Sequence, residues 1–205
     1  MDSGERTDSE PLSKASPRPS DARMPWTRKL KTKVCLVGEQ RVGKTSLIRR
    51  CVLNEFDDRY ITTLGVKTSK KELVLDFPGK GQMEVHLAIW DFMGQEGFRD
   101  LLKDAYFIGA RGILAVADVT RRPTLEALGP WIETVRSIAG TVPLVLAMNK
   151  SDLTDQAAYS DEEVAEFAET YGAPFLRTSA KTGANVETAF ARLANVIAAE
   201  YADLP

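Results

Sequence analysis

Short apolar runs alternate with helical stripes along most of the chain. Residues 34–37 are the first apolar run, and Leu47, Ile48, Cys51 and Val52 follow at helical spacing. Residues 54–65 are polar enough for a loop. Residues 71–77 and 83–91 have strand character, with Pro78-Gly79-Lys80-Gly81 between them as a hairpin turn. The second of these runs out into a loop from Asp91 to Gly97, and a short helix leads towards Tyr106. Residues 112–119 and 142–148 are continuous apolar runs, the pattern of strands buried on both faces. Between them Leu125, Leu128, Ile132, Val135 and Ala139 mark a helix, with a bend or late start expected at Gly129-Pro130. Ser160-Asp161-Glu162-Glu163 has the form of a capping box ahead of the stripe Val164, Phe167, Ala168, Tyr171, which stops at Gly172. A short strand at 175–178 precedes a last amphipathic helix carrying Val186, Ala189, Phe190, Leu193 and Ile197. This alternation predicts an α/β fold, a doubly wound sheet with helices on both faces. In such sheets ligands bind outside the carboxyl ends of the strands, so the loops that follow strands are the ones to search.

Composition adds limits. A chain of 205 residues, 43% hydrophobic and 27% charged, suits one globular domain plus a tail. Residues 1–29 are the expected tail and 30–205 the domain, because the first 25 residues are mostly Ser, Pro and charges and read as disordered. The run Arg28-Lys29-Leu30-Lys31-Thr32-Lys33 is taken as a solvated lead into the first strand whose charge discourages edge pairing, with an anionic-lipid or partner patch as the alternative. A net charge of −2 gives no whole-molecule attraction to nucleic acid. Cys35 and Cys51 are expected as buried thiols in a reducing compartment rather than as a disulfide or metal pair. His86, on a predicted strand without ligand-type neighbours, is assigned no chemistry. No apolar run approaches bilayer length, and the N-terminus lacks a signal peptide's apolar core. Met1-Asp2 excludes N-myristoylation and residues 201–205 hold no cysteine to prenylate. The expectation is a soluble cytoplasmic monomer without a lipid anchor.

Gly38-Glu39-Gln40-Arg41-Val42-Gly43-Lys44-Thr45 sits between the first strand and the first helix. Its glycines let backbone N–H groups turn onto a polyphosphate, and the helix adds its positive end. Lys44 would reach the β and γ phosphates and the Thr45 hydroxyl would coordinate Mg²⁺. Asp91, ending a strand on the same rim, suits a Mg²⁺ acid acting through water; Gly94 leaves room for its N–H to approach a terminal phosphate, and Gln95 can orient an attacking water. Asn149-Lys150-Ser151-Asp152 follows the apolar run at 142–148. An Asp152 carboxylate accepts only, so it fits the N1–H and N2 donors of guanine and rejects adenine. Asn149 would tie loops together, the Lys150 stem would cover the ring, and in Ser179-Ala180-Lys181 the Ala180 N–H could donate to guanine O6.

Residues 38–45, Thr63 in 60–65, Trp90-Asp91 with Gly94-Gln95-Glu96, 149–152 and 179–181 together resemble a Ras-superfamily small GTPase, nearest the Rab branch. The resemblance covers about residues 33–201. It implies a P-loop NTPase fold with a six-stranded, mostly parallel sheet whose strand after Thr63 is antiparallel. It implies GTP or GDP with Mg²⁺, lined by Gly38, Gln40, Arg41, Val42, Gly43, Lys44, Thr45, Ser46, Phe56, Tyr60, Thr63 and Gly94 and by the three base-side segments. Thr45, Thr63 and Asp91 would serve the metal, Phe56 would pack edge-on to the base, and Gln95, Lys44 and Thr63 would serve hydrolysis. The loops around Thr63 and Gln95 would be switches that meet effectors, exchange factors and GTPase-activating proteins.

The implied activity is a GTP/GDP switch that hydrolyses slowly, on the order of 10⁻⁴ per second, because no arginine finger is evident in the chain. Departures are Met93 in place of a small alanine, Phe92 in place of a threonine, Gln40 in place of glycine, the unusual Arg41, for which a solvated pose is favoured, and Thr68 in place of a Rab aromatic. Met93 motivates an alternative, a nucleotide-binding scaffold with little hydrolysis. A P-loop kinase is a third option, weakened by the lack of an arginine-rich lid segment and by the guanine-type loop.

Overall fold

The structure, a computed structural model, describes residues 27–57, 59, 65–79, 81–92 and 105–202. One sheet holds six strands: β1 (Thr27–Val37), β2 (Val66–Phe77), β3 (Gly81–Phe92), β4 (Ala110–Asp118), β5 (Leu144–Asn149) and β6 (Phe175–Arg177). Their order is β2-β3-β1-β4-β5-β6. Only β2 is antiparallel, to β3, and every other neighbouring pair is parallel. The doubly wound, mostly parallel sheet is as expected. Among the described residues the helices of five or more residues are α1 (Lys44–Leu53), α2 (Arg122–Glu126), α3 (Leu128–Ala139), α4 (Asp161–Tyr171) and α5 (Val186–Ala202).

Alternating side chains of each central strand feed two cores. Val34, Leu36, Leu114 and Val116 pack with Leu47, Ile48, Phe190, Leu193 and Ile197 of α1 and α5. Cys35, Val37, Ile113 and Ala115 pack with Leu125, Trp131, Ile132, Val135 and Val164 of α2, α3 and α4. A strand covered on both faces has few polar positions to spare, which is why β4 from Gly112 and β5 from Leu144 stay apolar until Asp118 and Asn149 at their carboxyl ends. Gly112 brings α5 close to β4: a Cβ there would lie 2.6 Å from Ile197 Cδ1. The Ser160 capping box forms in both directions, with Ser160 N–H donating to Glu163 Oε2 (2.8 Å) and Glu163 N–H to Ser160 Oγ (3.3 Å). Gly172 then ends α4 at φ 60°.

Four expectations change. β1 starts at Thr27, so the basic run lies inside a central strand, paired with β3, rather than ahead of it. Three of its four cations have partners: Arg28 donates to Tyr201 O (3.2 Å), Lys29 meets Glu84 (3.1 Å), and Lys33 donates to Ile108 O (3.0 Å) over the Trp90 ring, while Lys31 is exposed. β2 is the edge strand and begins at Val66, its polar first turn of sequence being what an edge tolerates. The helical break falls at Ala127, and Pro130 sits in the first turn of α3, where its missing N–H costs little. His86 does have ligand-type neighbours, Glu84 at 2.5 Å and, across the β2–β3 pair, Glu72 at 4.0 Å. These carboxylates are shared with Lys29 and Lys70.

Both cysteines are free and buried, and burial pushes Cys35 up to about 12 and Cys51 up to about 11. Among the described residues no helix is long and apolar enough to cross a membrane.

Phe190, on the inward face of α5, is fully buried. Phe190→Ala should lower stability by about 3–5 kcal/mol in urea denaturation, whereas truncating the exposed Val74 to Ala should change it by less than about 0.5 kcal/mol.

Candidate functional site

The loop between β1 and α1 is shaped by two close approaches. Gly38 (φ 132°) passes so near β4 that a Cβ would lie 2.1 Å from Val116 O. Gly43 (φ 98°) faces the Asn149 amide, whose Nδ2 would be 2.3 Å from a Cβ. Only glycine fits either position. Between them Arg41 is exposed and adopts φ 62°. Lys44, the first residue of α1, is buried and donates to Gly38 O (2.7 Å) and Glu39 O (2.9 Å). Burial pulls its ammonium down to about 8, with Asp91 and Glu39 opposing and Arg121 adding to the shift. Next to it the Thr45 hydroxyl donates to Asp91 Oδ2, and Asp91 is buried near the end of β3. A hydroxyl touching a buried carboxylate is a hard-oxygen donor pair that fits Mg²⁺.

On the neighbouring side β5 ends at Asn149, which is buried. Its Nδ2 donates to Val42 O (2.8 Å) and its Oδ1 accepts from Ala180 N–H (3.1 Å). The loop-tying role expected of Asn149 is therefore visible as two hydrogen bonds. The Ala180 N–H, expected to reach a base oxygen, is engaged here with Asn149. Lys150 adopts φ 64° and places Nζ 2.6 Å from Asp118 Oδ2. Asp152 is exposed and accepts from the Ser179 hydroxyl (2.5 Å). Arg50 of α1 donates to Ala180 O (2.9 Å) and Lys181 O (2.6 Å), fixing the third loop against the first helix. Because β1, β3, β4, β5 and β6 run parallel, all these loops emerge on one rim. Phe56 is half-buried against the first core, and Val42 is buried within it. Tyr60, Thr63, Met93, Gly94 and Gln95 lie outside the described residues.

Four residues without a motif join the site. Trp131 Nε1 donates to Glu39 Oε1 (3.1 Å), Arg50 holds residues 180–181, and Asp118 and Arg121 sit between the loops. Asp118 alone had a signal in the sequence, as an acid at the end of an apolar run. Burial by itself would raise its pKa, but hydrogen bonds from Lys150, Thr120 and Arg121 prevail and hold it below the ordinary carboxylate value.

Residues 33–199 match the sequence profile of the Ras family. The chain is 40% identical to the Ras-related protein RABA4a of Arabidopsis thaliana over 159 residues, covering 77% of this chain and 68% of that protein. It is 37% identical to the GTP-binding protein ypt4 of Schizosaccharomyces pombe over 167 residues, covering 80% and 70%. Against the Ras-related protein Rab-27B of Rattus norvegicus the identity is 36% over 172 residues, covering 80% and 78%.

Two outcomes test these contacts. Asn149→Ala strands the buried Val42 carbonyl and Ala180 N–H, so thermal or urea unfolding should show a loss of about 2–4 kcal/mol. Asp118 has a depressed folded pKa, so its contribution is complete above the unfolded value of about 3.9 and is lost as pH falls below it. The stability gap between wild type and Asp118→Asn should therefore be constant from pH 5 to 7 and narrow below about pH 4.

Proposed function

The chain belongs to the Ras family and is a small GTPase, a switch between GTP- and GDP-bound forms, and we propose that one guanine nucleotide lies along the rim described above. The phosphates would sit at Gly38–Ser46 and the base at Asn149–Asp152 and Ser179–Lys181. The observation that carries this assignment is the Asn149–Val42 hydrogen bond, which holds the base side and the phosphate side within one side chain of each other. The carboxylate of Asp152, already oriented by Ser179, would accept from guanine N1–H and N2. Phe56 and the Lys150 stem would flank the ring, with Gln40, Arg41, Val42 and Tyr60 completing the lining.

For hydrolysis, Lys44 and the loop N–H groups would neutralise phosphate charge, and the Gln95 amide with the Thr63 carbonyl would align the attacking water. Thr45, Thr63 and Asp91 would hold Mg²⁺, which when bound supplies charge neutralisation at the β- and γ-oxygens. Regulators and effectors would engage the segments around Thr63 and Gln95, which contacts to the γ phosphate would order. Thr68 is exposed opposite Trp90 on the β2–β3 pair, so effectors that need an aromatic at that position would not fit. Free buried thiols support action in the reducing cytoplasm. The non-hydrolysing alternative was motivated by Met93 alone, and no finding favours it. Family membership removes the kinase option.

Two measurements check the assignment. Asp152→Asn should weaken GTP binding by about 100-fold or more and shift preference towards xanthosine triphosphate; equal wild-type affinity for ATP and GTP would refute the base assignment. In single-turnover assays the wild type should release phosphate at roughly 10⁻⁴ per second and Gln95→Leu at least about tenfold more slowly. Indistinguishable rates would remove Gln95 from the mechanism.

A further inference from the structure

Between the phosphate loop and the base loop lies a guanidinium that belongs to neither motif. Arg121 follows β4 at the start of α2, with extended backbone (φ −138°). Its Nη2 donates to the Gln40 carbonyl at 2.8 Å, and its Nε donates to Asp118 Oδ2 at 3.0 Å. The same carboxylate oxygen lies 2.6 Å from Lys150 Nζ. The second oxygen of Asp118 accepts from the Thr120 N–H (3.0 Å) and the Thr120 hydroxyl (2.7 Å), so the fully buried carboxylate is fixed from both sides. A continuous chain of contacts therefore runs from the Gln40 carbonyl through Arg121 and Asp118 to Lys150.

Both ends of this chain are unusual in backbone conformation. Arg41, which follows Gln40, has φ 62°, and Lys150 has φ 64°. Non-glycine residues rarely adopt these values, and they persist only where surrounding contacts enforce them. A trans peptide also sets its C=O and the next N–H in opposite directions. Holding the Gln40 carbonyl towards Arg121 therefore turns the Arg41 N–H to the other side of the loop. A guanidinium suits this position because its planar fork serves two acceptors at fixed separation, which an ammonium on a flexible stem does not.

We propose that Arg121 is a positioning residue that sets the phosphate loop and the base-loop lysine together, and thereby governs how long a guanine nucleotide stays bound. It acts through Gln40 and Asp118 without touching the nucleotide. The proposal rests on the nucleotide site assigned above.

The test uses the full chain loaded with a fluorescent GDP in Mg²⁺, chased with excess unlabelled GDP. Arg121→Ala should accelerate release about tenfold or more, the size expected for losing hydrogen bonds that involve charged groups. Arg121→Lys, which can serve Asp118 or Gln40 but not both, should fall between that variant and wild type. Asp118→Asn should also accelerate release, and the double variant with Arg121→Ala should fall short of the product of the two single effects, because both single variants break the same Arg121–Asp118 contact. The Arg121 side chain is 40% exposed, so the unfolding midpoint of Arg121→Ala at saturating GDP should fall by no more than the weaker binding itself removes, about 3–6 °C for a tenfold loss, and a larger fall would overturn the proposal by placing the effect in the fold. Release from Arg121→Ala within about twofold of wild type would overturn the proposal, and so would single effects that simply multiply. Should Arg121→Ala not fold, wild-type release by Arg121→Lys would overturn it equally. A wild type that retains no guanine nucleotide would instead refute the site itself, a result distinct from unchanged release.

Discussion

The site depends on the Asn149 amide reaching the Val42 carbonyl across a position where residue 43 has no side chain. The loops it joins follow β1 and β5, and β4 lies between those strands. Two strand spacings amount to roughly 9.5 Å, too far for the backbones of the two loops to bond directly. Side chains must span the gap, and the strand between must be kept low. Gly38 meets the second need by lying against Val116 O, and Asn149 meets the first from a residue paired in register with Asp118. The glycines, the strand order and the amide therefore form one constraint. A side chain at residue 43 would displace the amide, and losing the amide would shift the join between the loops onto the link through Arg121 and Asp118.

The same rim concentrates buried charge. Lys44, Asp91 and Asp118 are each almost inaccessible, and burying a charge is costly unless it is paired and hydrogen-bonded. Asp118 meets this condition fully, with donors on both oxygens, which is why its carboxyl stays below the ordinary value. Lys44 does not: two carbonyls hold its ammonium, yet burial still pulls it down to about 8. A cation left short of compensation inside a loop is an energetic invitation to an anion. Whatever polyphosphate binds there stabilises the fold through the same interaction that holds it.

The central strands were legible because both their faces are covered, so residues 112–119 and 142–148 carry no alternation to confuse. The phosphate loop and the Asn149–Asp152 segment were legible because their chemistry is local in sequence. What escaped notice was set by pairing across the sheet. The basic first half of β1 looks like a solvated lead until β3 is placed beside it, and His86 acquires Glu72 only through the antiparallel register. Arg121 was invisible for the same reason. Nothing in Asp118-Val119-Thr120-Arg121 distinguishes an ordinary turn from a strut until the Gln40 carbonyl is found at its far end.

That pattern also explains why the phosphate loop can carry Glu39, Gln40 and Arg41 where smaller residues would serve. Its carbonyls at 38, 39, 40 and 42 are held by Lys44, Arg121 and Asn149, and the carbonyl of Gly43 accepts from Leu47 N–H. Because each peptide unit is planar and trans, fixing the carbonyls of 40 and 42 also fixes the N–H vectors of 41 and 43. An anion recognised by such vectors is recognised by backbone, so the side chains at the free positions are excused from contact and can vary. Within residues 38–43 the glycines at 38 and 43 are constrained because neighbouring atoms occupy the space of a Cβ, and Val42 because it is buried in the core. Specificity for the ligand's other end must come from side chains outside the loop, and those are the groups that Asp118 and Ser179 hold in place.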